Sequence, residues 1–269
     1  MSKTIGIIGC GWLGLPLAKV LIKEGYNVHG STTSKYKLNE LSKEGIKPYL
    51  LVLQTESIIG AMDEFIATID ILILNVPPKM RAENAPSFYK RMQLLQEKIP
   101  QKKQLQILFV SSISVYGNVQ GIITEDTVPQ PISSSGIELL ASEKLFQNRF
   151  GDKISIVRFG GLIGDKRHPV KQLSGRTGLK NGNDPVNLIH LDDCIRVIQY
   201  LLQNNIWGHI INAVYPIHPP KNEYYDTQAK KRGLSPPIYD ENQGDINGKI
   251  VISKYFPINN VVFKTDINE

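Results

Sequence analysis

Gly9-Cys10-Gly11-Trp12-Leu13-Gly14 is a glycine-rich turn that follows a short β-branched run, 4–8, and opens a segment with apolar residues at helical spacing. In such a turn Gly9 permits the tight bend, Gly11 lets the backbone approach a phosphate, and Gly14 lets the helix pack close to the strand. A helix N-terminus adds free N–H groups and partial positive charge. The strand–loop–helix context therefore predicts a dinucleotide site that includes Gly9, Gly11, Trp12, Leu13 and Gly14.

Strand and helix patterns alternate along the first half of the chain. After the first strand, the predicted strands are 26–29, 49–53, 71–76, 106–110, 154–158 and 210–213. The later predicted helices are 36–43, 84–98 with Asn84 as a cap, 135–150 and 195–203. Alternation of this kind indicates parallel strands with right-handed crossovers. We expect an α/β protein with a Rossmann-type doubly wound parallel sheet and a small C-terminal lobe.

The domain boundaries follow from where the alternation stops. Residues 1–160 would form the nucleotide-binding domain, completed by about 188–214. The loop-rich segments 161–187 and 215–269 would form a small substrate-binding lobe. Such a lobe would lie above the carboxyl ends of the strands, where open α/β sheets bind their ligands.

The end of the second predicted strand reads Gly30-Ser31-Thr32-Thr33-Ser34-Lys35 and contains no carboxylate. NAD-specific folds place Asp or Glu there to bind the ribose 2′-hydroxyl. Hydroxyls and a lysine suit a 2′-phosphate instead, because they supply donors and positive charge. We expect NADP rather than NAD, bound through Ser31, Thr32, Thr33 and Lys35 with help from Lys37. A helix cap at Ser34 with ordinary exposed lysines is the alternative.

The composition limits the classes of partner. The net charge is +6, but the basic residues are scattered and no recognition motif accompanies them, so we expect no nucleic-acid binding. The chain has two cysteines, no spacing typical of metal ligands and no apolar run long enough to cross a bilayer. The N-terminal residues lack the features of a secretory signal peptide. We expect a cytoplasmic protein with a small-molecule substrate, no membrane partner and no metal.

The fifth predicted strand ends in Ser111-Ser112-Ile113-Ser114-Val115-Tyr116-Gly117. This stretch resembles the SSxxVYG signature of the extended short-chain dehydrogenases/reductases, which include nucleotide-sugar epimerases and dehydratases. The segments 124–126, 187–193 and 211–213 also resemble that family, in the family's order, so the resemblance covers roughly residues 4–215. Residues 75–79 and the short glycine turn are similar to its atypical, NAD(P)-dependent epimerase/dehydratase-like branch.

The resemblance implies roles for several residues. Ser112 would position the reacting oxygen, and Tyr116 is a candidate acid, although packing is the commoner role for this tyrosine. The family's Tyr-x-x-x-Lys pair falls on Ser135 and Leu139, which cannot replace a tuned phenol and a cation. The residues expected to line the cofactor are Asn75, Val76, Pro77, Pro78 and Ser111, and those expected to contact substrate are Lys79, Arg167 and His168.

These features favour an NADP-dependent oxidoreductase or epimerase-like enzyme acting on a small, anionic or sugar-like substrate. The alternative is a non-catalytic NADP(H) sensor that has lost the Tyr-x-x-x-Lys pair. The opening residues, 7–18, also resemble β-hydroxyacid dehydrogenases of the 6-phosphogluconate type, but the proline-rich C-terminal part does not read as that family's all-helical domain. For His190 we expect a structural role beside a carboxylate helix cap. The resemblance also implies a homodimer through residues 84–98 and 135–150.

Overall fold

A computed structural model describes residues 2–78, 86–102, 104–240, 248–256 and 262–268. The strands of its main sheet are Thr4–Ile8 (β1), Asn27–Thr32 (β2), Lys47–Leu53 (β3), Ile58–Gly60 (β4), Ile71–Leu74 (β5), Gln106–Ser112 (β6), Ile154–Phe159 (β8) and Ile210–Ala213 (β11). Shorter strands pair outside it: Gly121–Ile123 (β7), Gly161–Ile163 (β9), Leu188–His190 (β10) and Lys249–Val251 (β12).

Helices connect most of these strands. Their bounds are Gly14–Lys23 (α1), Lys37–Lys43 (α2), Met62–Ala67 (α3), Phe88–Lys98 (α4), Ser134–Phe150 (α5), Val170–Leu173 (α6), Leu191–Gln203 (α7) and Lys221–Lys231 (α8). The long helix α5 begins with a side-chain cap, because the Ser133 hydroxyl accepts a hydrogen bond from the Gly136 amide at 3.1 Å.

The main sheet has the strand order β11-β8-β6-β5-β1-β2-β3-β4. All neighbouring strands run parallel except β4, which is antiparallel to β3 at one edge. The chain proceeds outward from β1 in one direction through β2 and β3, and in the other through β5, β6 and β8. The crevice at this switch point is where such sheets bind ligands. The predicted α/β Rossmann-type sheet is confirmed.

Apolar residues cover both faces of the sheet. On β6, Ile107 and Phe109 face the layer formed by α3, α4 and α5, whereas Leu108 faces α1, α2 and α7. This alternation follows from the two-residue period of a strand. Because both faces are buried, the central strands are near-continuous apolar runs, as in β5, whose sequence is Ile-Leu-Ile-Leu.

A smaller apolar cluster lies beyond the main sheet. It joins β9, β10, α6 and α8, and its buried members are Ile163, Val170, Val186, Leu188, Tyr224, Tyr225, Ala229 and Ile267. Not all of the expected lobe belongs to it. β12 pairs with β7, and Val251, Phe256 and Val262 pack into the two layers of the main domain. β10 pairs with β9 outside the main sheet, but its Ile189 packs into the core of the main domain.

Two predicted helix starts need correction. Helix α4 begins at Phe88 rather than at Asn84, and Asn84 lies outside the described residues. The cap of α4 is Ser87, whose hydroxyl accepts a hydrogen bond from the Lys90 amide at 3.2 Å. Helix α7 begins at Leu191 rather than at 195. Its cap is the His190 imidazole, whose Nδ1 accepts from the Asp192 amide at 3.2 Å, so the predicted carboxylate cap is wrong.

The sequence patterns also missed β4 and α3, which are too short to show a clear period. None of the helices in the described ranges combines the length and apolar character required to cross a bilayer.

Candidate functional site

A cleft of about 730 Å³ opens at the carboxyl edge of the sheet, around the switch point. Most of the predicted ligand-binding residues line it: Gly9, Gly11, Trp12, Leu13, Ser31, Thr32, Thr33, Asn75, Val76, Pro77, Pro78, Ser111, Ser112 and Arg167. Four do not, namely Gly14, Lys35, Tyr116 and His168. Lys79 lies outside the described residues. The predicted cofactor residues are thus brought together, whereas the predicted catalytic and substrate residues are divided.

The glycine turn is fixed by neighbouring strands. The Gly9 amide donates to the Ser31 hydroxyl at 3.1 Å, and Asn75 Nδ2 donates to the Gly9 carbonyl at 3.0 Å. Gly9 has φ +104°, a conformation that favours glycine. A Cβ at Gly14 would overlap the Gly9 carbonyl oxygen, so this glycine permits close packing although it does not line the cleft.

Gly11 is different, because a Cβ built on it meets no protein atom within 4 Å. The space beside its backbone is open cleft, next to the N-terminus of α1. The first N–H groups of a helix have no intrahelical acceptor, so they can bind an anion placed there. This open cradle fits the pyrophosphate of a dinucleotide.

Hydroxyls and one lysine line the cleft at the end of β2. The Ser31 hydroxyl already accepts from Gly9, and Thr32 Oγ1 accepts from the Ser34 amide at 3.2 Å, so both retain a proton to donate. Lys37 lines the cleft, whereas Lys35 is exposed and does not line it. The cleft therefore favours Lys37 for a ligand contact, and the predicted contact of Lys35 stays a prediction.

The adjacent hydroxyls of Ser111 and Ser112 have opposite hydrogen-bonding polarity. Ser111 Oγ donates to Glu143 Oε1, whereas Ser112 Oγ accepts from the Ser114 amide at 3.2 Å. Ser111 has thus committed its proton and presents lone pairs, while Ser112 keeps its proton. Ser112 can therefore donate to an oxygen of a ligand, and Ser111 can only accept.

A buried ion pair holds Ser111 in this state. The Arg158 guanidinium donates to both oxygens of Glu143, at 3.1 and 2.6 Å, and the two side chains are only 2% and 1% exposed. Because the carboxylate is paired with a cation, it acts as a hydrogen-bond acceptor toward Ser111. Helix α5 therefore influences the cleft through Glu143, which does not line the cleft itself but fixes the proton of Ser111.

Tyr116 belongs to this buried network and not to the cleft surface. Its side chain is fully buried, and its hydroxyl contacts Asn212 Oδ1 and Arg158 Nη1, each at 2.9 Å. Burial is the main cause that raises the pKa of this phenol. The interpretation of Tyr116 as an acid that reaches a substrate is corrected: the side chain packs and orients Arg158.

The two candidate substrate residues on the loop after β9 point in different directions. Arg167 lines the cleft, with its guanidinium 5.0 Å from the centre of the Trp12 ring. His168 is buried behind it, where Nε2 contacts the Tyr224 hydroxyl at 2.9 Å and Nδ1 accepts from the Val170 amide. Burial lowers the pKa of His168 to about 4. The expected substrate contact of His168 is therefore corrected to a neutral, structural role.

The positions that correspond to the family's Tyr-x-x-x-Lys pair lack its chemistry. Leu139 is buried against the cleft and brings an apolar surface, and Ser135 does not line the cleft. Cys10 does line it, but burial raises its thiol pKa to about 12, so it is protonated at neutral pH. The remaining titratable side chains among the described cleft residues are the cations Lys37, Arg91 and Arg167.

Arg91 was not predicted. It lies on α4, lines the cleft, and donates from Nη2 to the Pro78 carbonyl at 2.8 Å. Residues 51–53 at the end of β3 and residues 160–162 after β8 also line the cleft. The strand order could have indicated them, because they follow the carboxyl ends of strands near the switch point.

Comparison with known proteins begins with a family model. The NAD-binding domain of 6-phosphogluconate dehydrogenase matches residues 4–101, which contain the glycine turn and β1 to β5. The curated protein YeeZ of Escherichia coli (strain K12) is 34% identical over 250 residues, which cover 93% of this chain and 91% of YeeZ.

Two solved structures show the same fold over nearly the whole chain. UDP-glucuronic acid 4-epimerase from Bacillus cereus, in complex with NAD, has a TM-score of 0.78 at 20% identity, covering 94% of this chain and 89% of that one. MoeE5 in complex with UDP-glucose and NAD has a TM-score of 0.77 at 20% identity, covering 99% and 95%. The likeness therefore extends past β6 into the C-terminal part, beyond the 6-phosphogluconate dehydrogenase match.

Proposed function

Because the chain belongs to the epimerase/dehydratase-like short-chain dehydrogenase/reductase family, together with YeeZ, we propose that it is an NADP-dependent oxidoreductase or epimerase-like enzyme. Its substrate would be a small, anionic or sugar-like molecule. The observation that carries the proposal is the open cradle at Gly11, which lies in one cleft with the hydroxyls and Lys37 after β2 and with Ser112 after β6.

The donor set of the cleft supports NADP. Gly9 to Leu13 would hold the pyrophosphate at the N-terminus of α1. Ser31, Thr32 and Lys37 would bind the 2′-phosphate, since a carboxylate that would repel it is absent from the described cleft residues. The solved relatives with this fold contain NAD, so the preference for the phosphorylated cofactor depends on the β2 end alone.

A nicotinamide cofactor, when bound, supplies or accepts a hydride. The contribution of this chain would be to orient the substrate. Ser112 would donate its hydroxyl proton to the reacting oxygen, and Ser111, held by Glu143, would accept from a neighbouring donor group. Leu139 would exclude water beside them. Catalysis would rest on this positioning.

A second candidate function is a non-catalytic NADP(H) sensor. The observation that favours it is the composition of the described cleft residues: one thiol, with its pKa raised to about 12 by burial, two arginines and one lysine, and no histidine, tyrosine or carboxylate among them. Turnover distinguishes the two candidates. An enzyme oxidises NADPH with some member of a carbonyl panel, and Ser112→Ala abolishes that rate, whereas a sensor binds both redox forms and turns over none.

The first test is a thermal-shift titration with NADPH, NADP, NADH and NAD. A ligand at 100 times its dissociation constant adds about 2.7 kcal/mol of stability, which corresponds to a rise of roughly 5 °C or more in Tm for a chain of this size. We expect the phosphorylated pair to give that rise and NADH and NAD to give less. No rise with any of the four would refute both candidate functions. Equal rises would refute only the NADP preference.

Cytoplasmic location and a homodimer through α4 and α5 stay predictions. Ile137 on α5 is 51% exposed, which is consistent with a contact on that face. Sedimentation of the purified protein tests the dimer.

A further inference from the structure

The charged side chains in the cleft are all positive. Among the described residues that line it, these are Lys37, Arg91 and Arg167. The strand order separates them. Lys37 follows β2, Arg167 stacks on Trp12 after β1, and Arg91 hydrogen-bonds the Pro78 carbonyl after β5. β2 and β5 are two strand spacings apart, about 10 Å, with β1 and the glycine turn between them, so Lys37 and Arg91 lie on opposite sides of the glycine turn.

Backbone carbonyls hold the Arg91 guanidinium in place. Nη2 donates to the Pro78 carbonyl at 2.8 Å and Nε to the Ser87 carbonyl at 3.3 Å, and the group lies 5.5 Å from the Phe88 ring centre. A guanidinium has five N–H donors, so these bonds leave it capable of binding a ligand. The structure shows no ion pair of Arg91 with any carboxylate in the ranges it describes.

Helix α5 fixes the start of α4, the helix that carries Arg91. Glu138 accepts hydrogen bonds from the amides of Phe88 and Tyr89, the latter at 3.0 Å, and so fixes the first turn of α4. Burial is the main influence on the Arg91 pKa and lowers it, while the charge of Glu138 raises it. A partly desolvated cation of this kind gains more from an anionic ligand than an exposed one does.

The neighbours of Arg91 identify the end of the cleft. β6 lies beside β5 in the sheet, and α5 packs against α4, so Ser112 and Leu139 line the same end. The glycine turn and the β2 end, which the proposed function assigns to the nucleotide, lie on the other side of β5. Arg91 therefore accompanies the residues proposed to contact substrate.

We infer that Arg91 binds an oxyanion of the substrate, a carboxylate or a phosphate group, beside the oxygen that Ser112 contacts. The inference rests on the proposed function in one respect, the assignment of the opposite end to NADP. Arginine suits this role because its planar fork binds two oxygens of a carboxylate or phosphate at once. Leu139, on the same end, supplies no competing charge.

The test measures anion binding to the NADP-saturated protein by isothermal titration calorimetry. The probes are inorganic phosphate and malonate, and the variants are Arg91→Met, Arg91→Lys and Arg149→Met. Arg149 is the matched control, because it also donates to a backbone carbonyl, at 3.2 Å, and lies 5.6 Å from a phenylalanine ring, but it does not line the cleft. NADP is titrated into every variant.

We expect at least one probe to bind the wild type, and the tighter one to identify the oxyanion. Arg91→Met should weaken it at least tenfold, Arg91→Lys by a smaller factor, and Arg149→Met by less than twofold, with the affinity for NADP unchanged throughout. Anion binding that is absent from the wild type, or equal in the wild type and Arg91→Met, would overturn the inference. So would a tenfold loss of NADP affinity in Arg91→Met, because Arg91 would then bind the nucleotide.

Failure of the proposed function gives a different result. If NADP binds none of the proteins, the same anion titrations without nucleotide still compare Arg91→Met with Arg149→Met, and an unchanged affinity overturns the role of Arg91. If Arg91→Met does not fold, Arg91→Lys carries the comparison, since it keeps the charge and loses the two-oxygen fork.

Discussion

An alanine at Gly11 separates nucleotide binding from folding. A Cβ at this position meets no protein atom within 4 Å, and the backbone of Gly11 does not need a positive φ. Gly11→Ala should therefore change the free energy of unfolding by no more than about 0.5 kcal/mol. The added methyl group would occupy the cradle and hold the pyrophosphate away from the backbone. Losing one charge-assisted hydrogen bond costs about 1.5–3 kcal/mol, or roughly 10- to 150-fold in the dissociation constant.

Gly14→Ala is the matched comparison, because the same methyl group is added three residues after Gly11 at a glycine that does not line the cleft. Here the Cβ would overlap the Gly9 carbonyl oxygen and lie 3.0 Å from Asn75 Nδ2, so the backbone must shift. Overpacking of this kind costs about 1–3 kcal/mol, and Tm should fall by roughly 2–4 °C for each kcal/mol.

Two assays on the same preparations measure both effects. Urea unfolding followed by circular dichroism gives the stability, and a titration followed by NADPH fluorescence gives the affinity. If Gly11→Ala is folded and binds NADPH as tightly as the wild type, the cradle is not the pyrophosphate site and the reasoning is wrong. Equal stability losses in the two variants would also contradict it.

Two further variants test the β2 end and the buried ion pair. Lys37→Met should raise the NADPH dissociation constant about tenfold and leave that of NADH unchanged, as measured by fluorescence titration. Lys35→Met is the control and should change neither constant. A larger effect of Lys35→Met than of Lys37→Met would show that Lys35 binds the 2′-phosphate, as the sequence predicted. Glu143→Gln leaves the Arg158 guanidinium buried without a counter-charge and should cost about 3–5 kcal/mol in urea unfolding. Glu44→Gln, which breaks an exposed pair with Lys19, should cost at most about 1 kcal/mol, and similar losses in the two would argue against a buried pair.

The parts of the fold that the sequence predicted are those where one local cause decides the outcome. β1 and β5 are buried on both faces, so their apolar runs are unambiguous. In the glycine turn, Gly9 has a positive φ and Gly14 has no room for a Cβ, so both positions require glycine. The start of α4 was missed because two cap-forming residues, Asn84 and Ser87, lie within one turn, and the choice between them depends on Glu138, 50 residues away, which binds the Phe88 amide.

Most of the residues proposed to bind the cofactor could be placed in one cleft from the sequence, because they form two continuous stretches. Gly9 to Gly14 and Ser31 to Lys37 each carry their chemistry within a single turn. The other end of the cleft could not be placed in this way, since it combines residues from β6, α4 and α5. Tyr116 illustrates the difficulty: its motif names the residue, but only the fold shows that its hydroxyl turns inward to Arg158 and Asn212. His168 was misjudged for the same reason.

The loss of the family's phenol and lysine has a definite physical consequence for this cleft. With leucine at position 139, the family's lysine cation is missing beside the oxygen that Ser112 is proposed to contact. The buried ion pair of Glu143 and Arg158 holds the Ser111 proton and does not reach that oxygen. What is left at the substrate end is one hydroxyl donor, one hydroxyl acceptor and the Arg91 guanidinium. These groups define the direction of hydrogen bonds and the charge of a ligand, but none of them carries a proton in and out near neutral pH. A substrate that carries a carboxylate or phosphate next to the reacting carbon would match the positive charge of the cleft, with that anion held by Arg91. The substrate screen should therefore begin with hydroxy and keto acids and their phosphates rather than with neutral carbonyls.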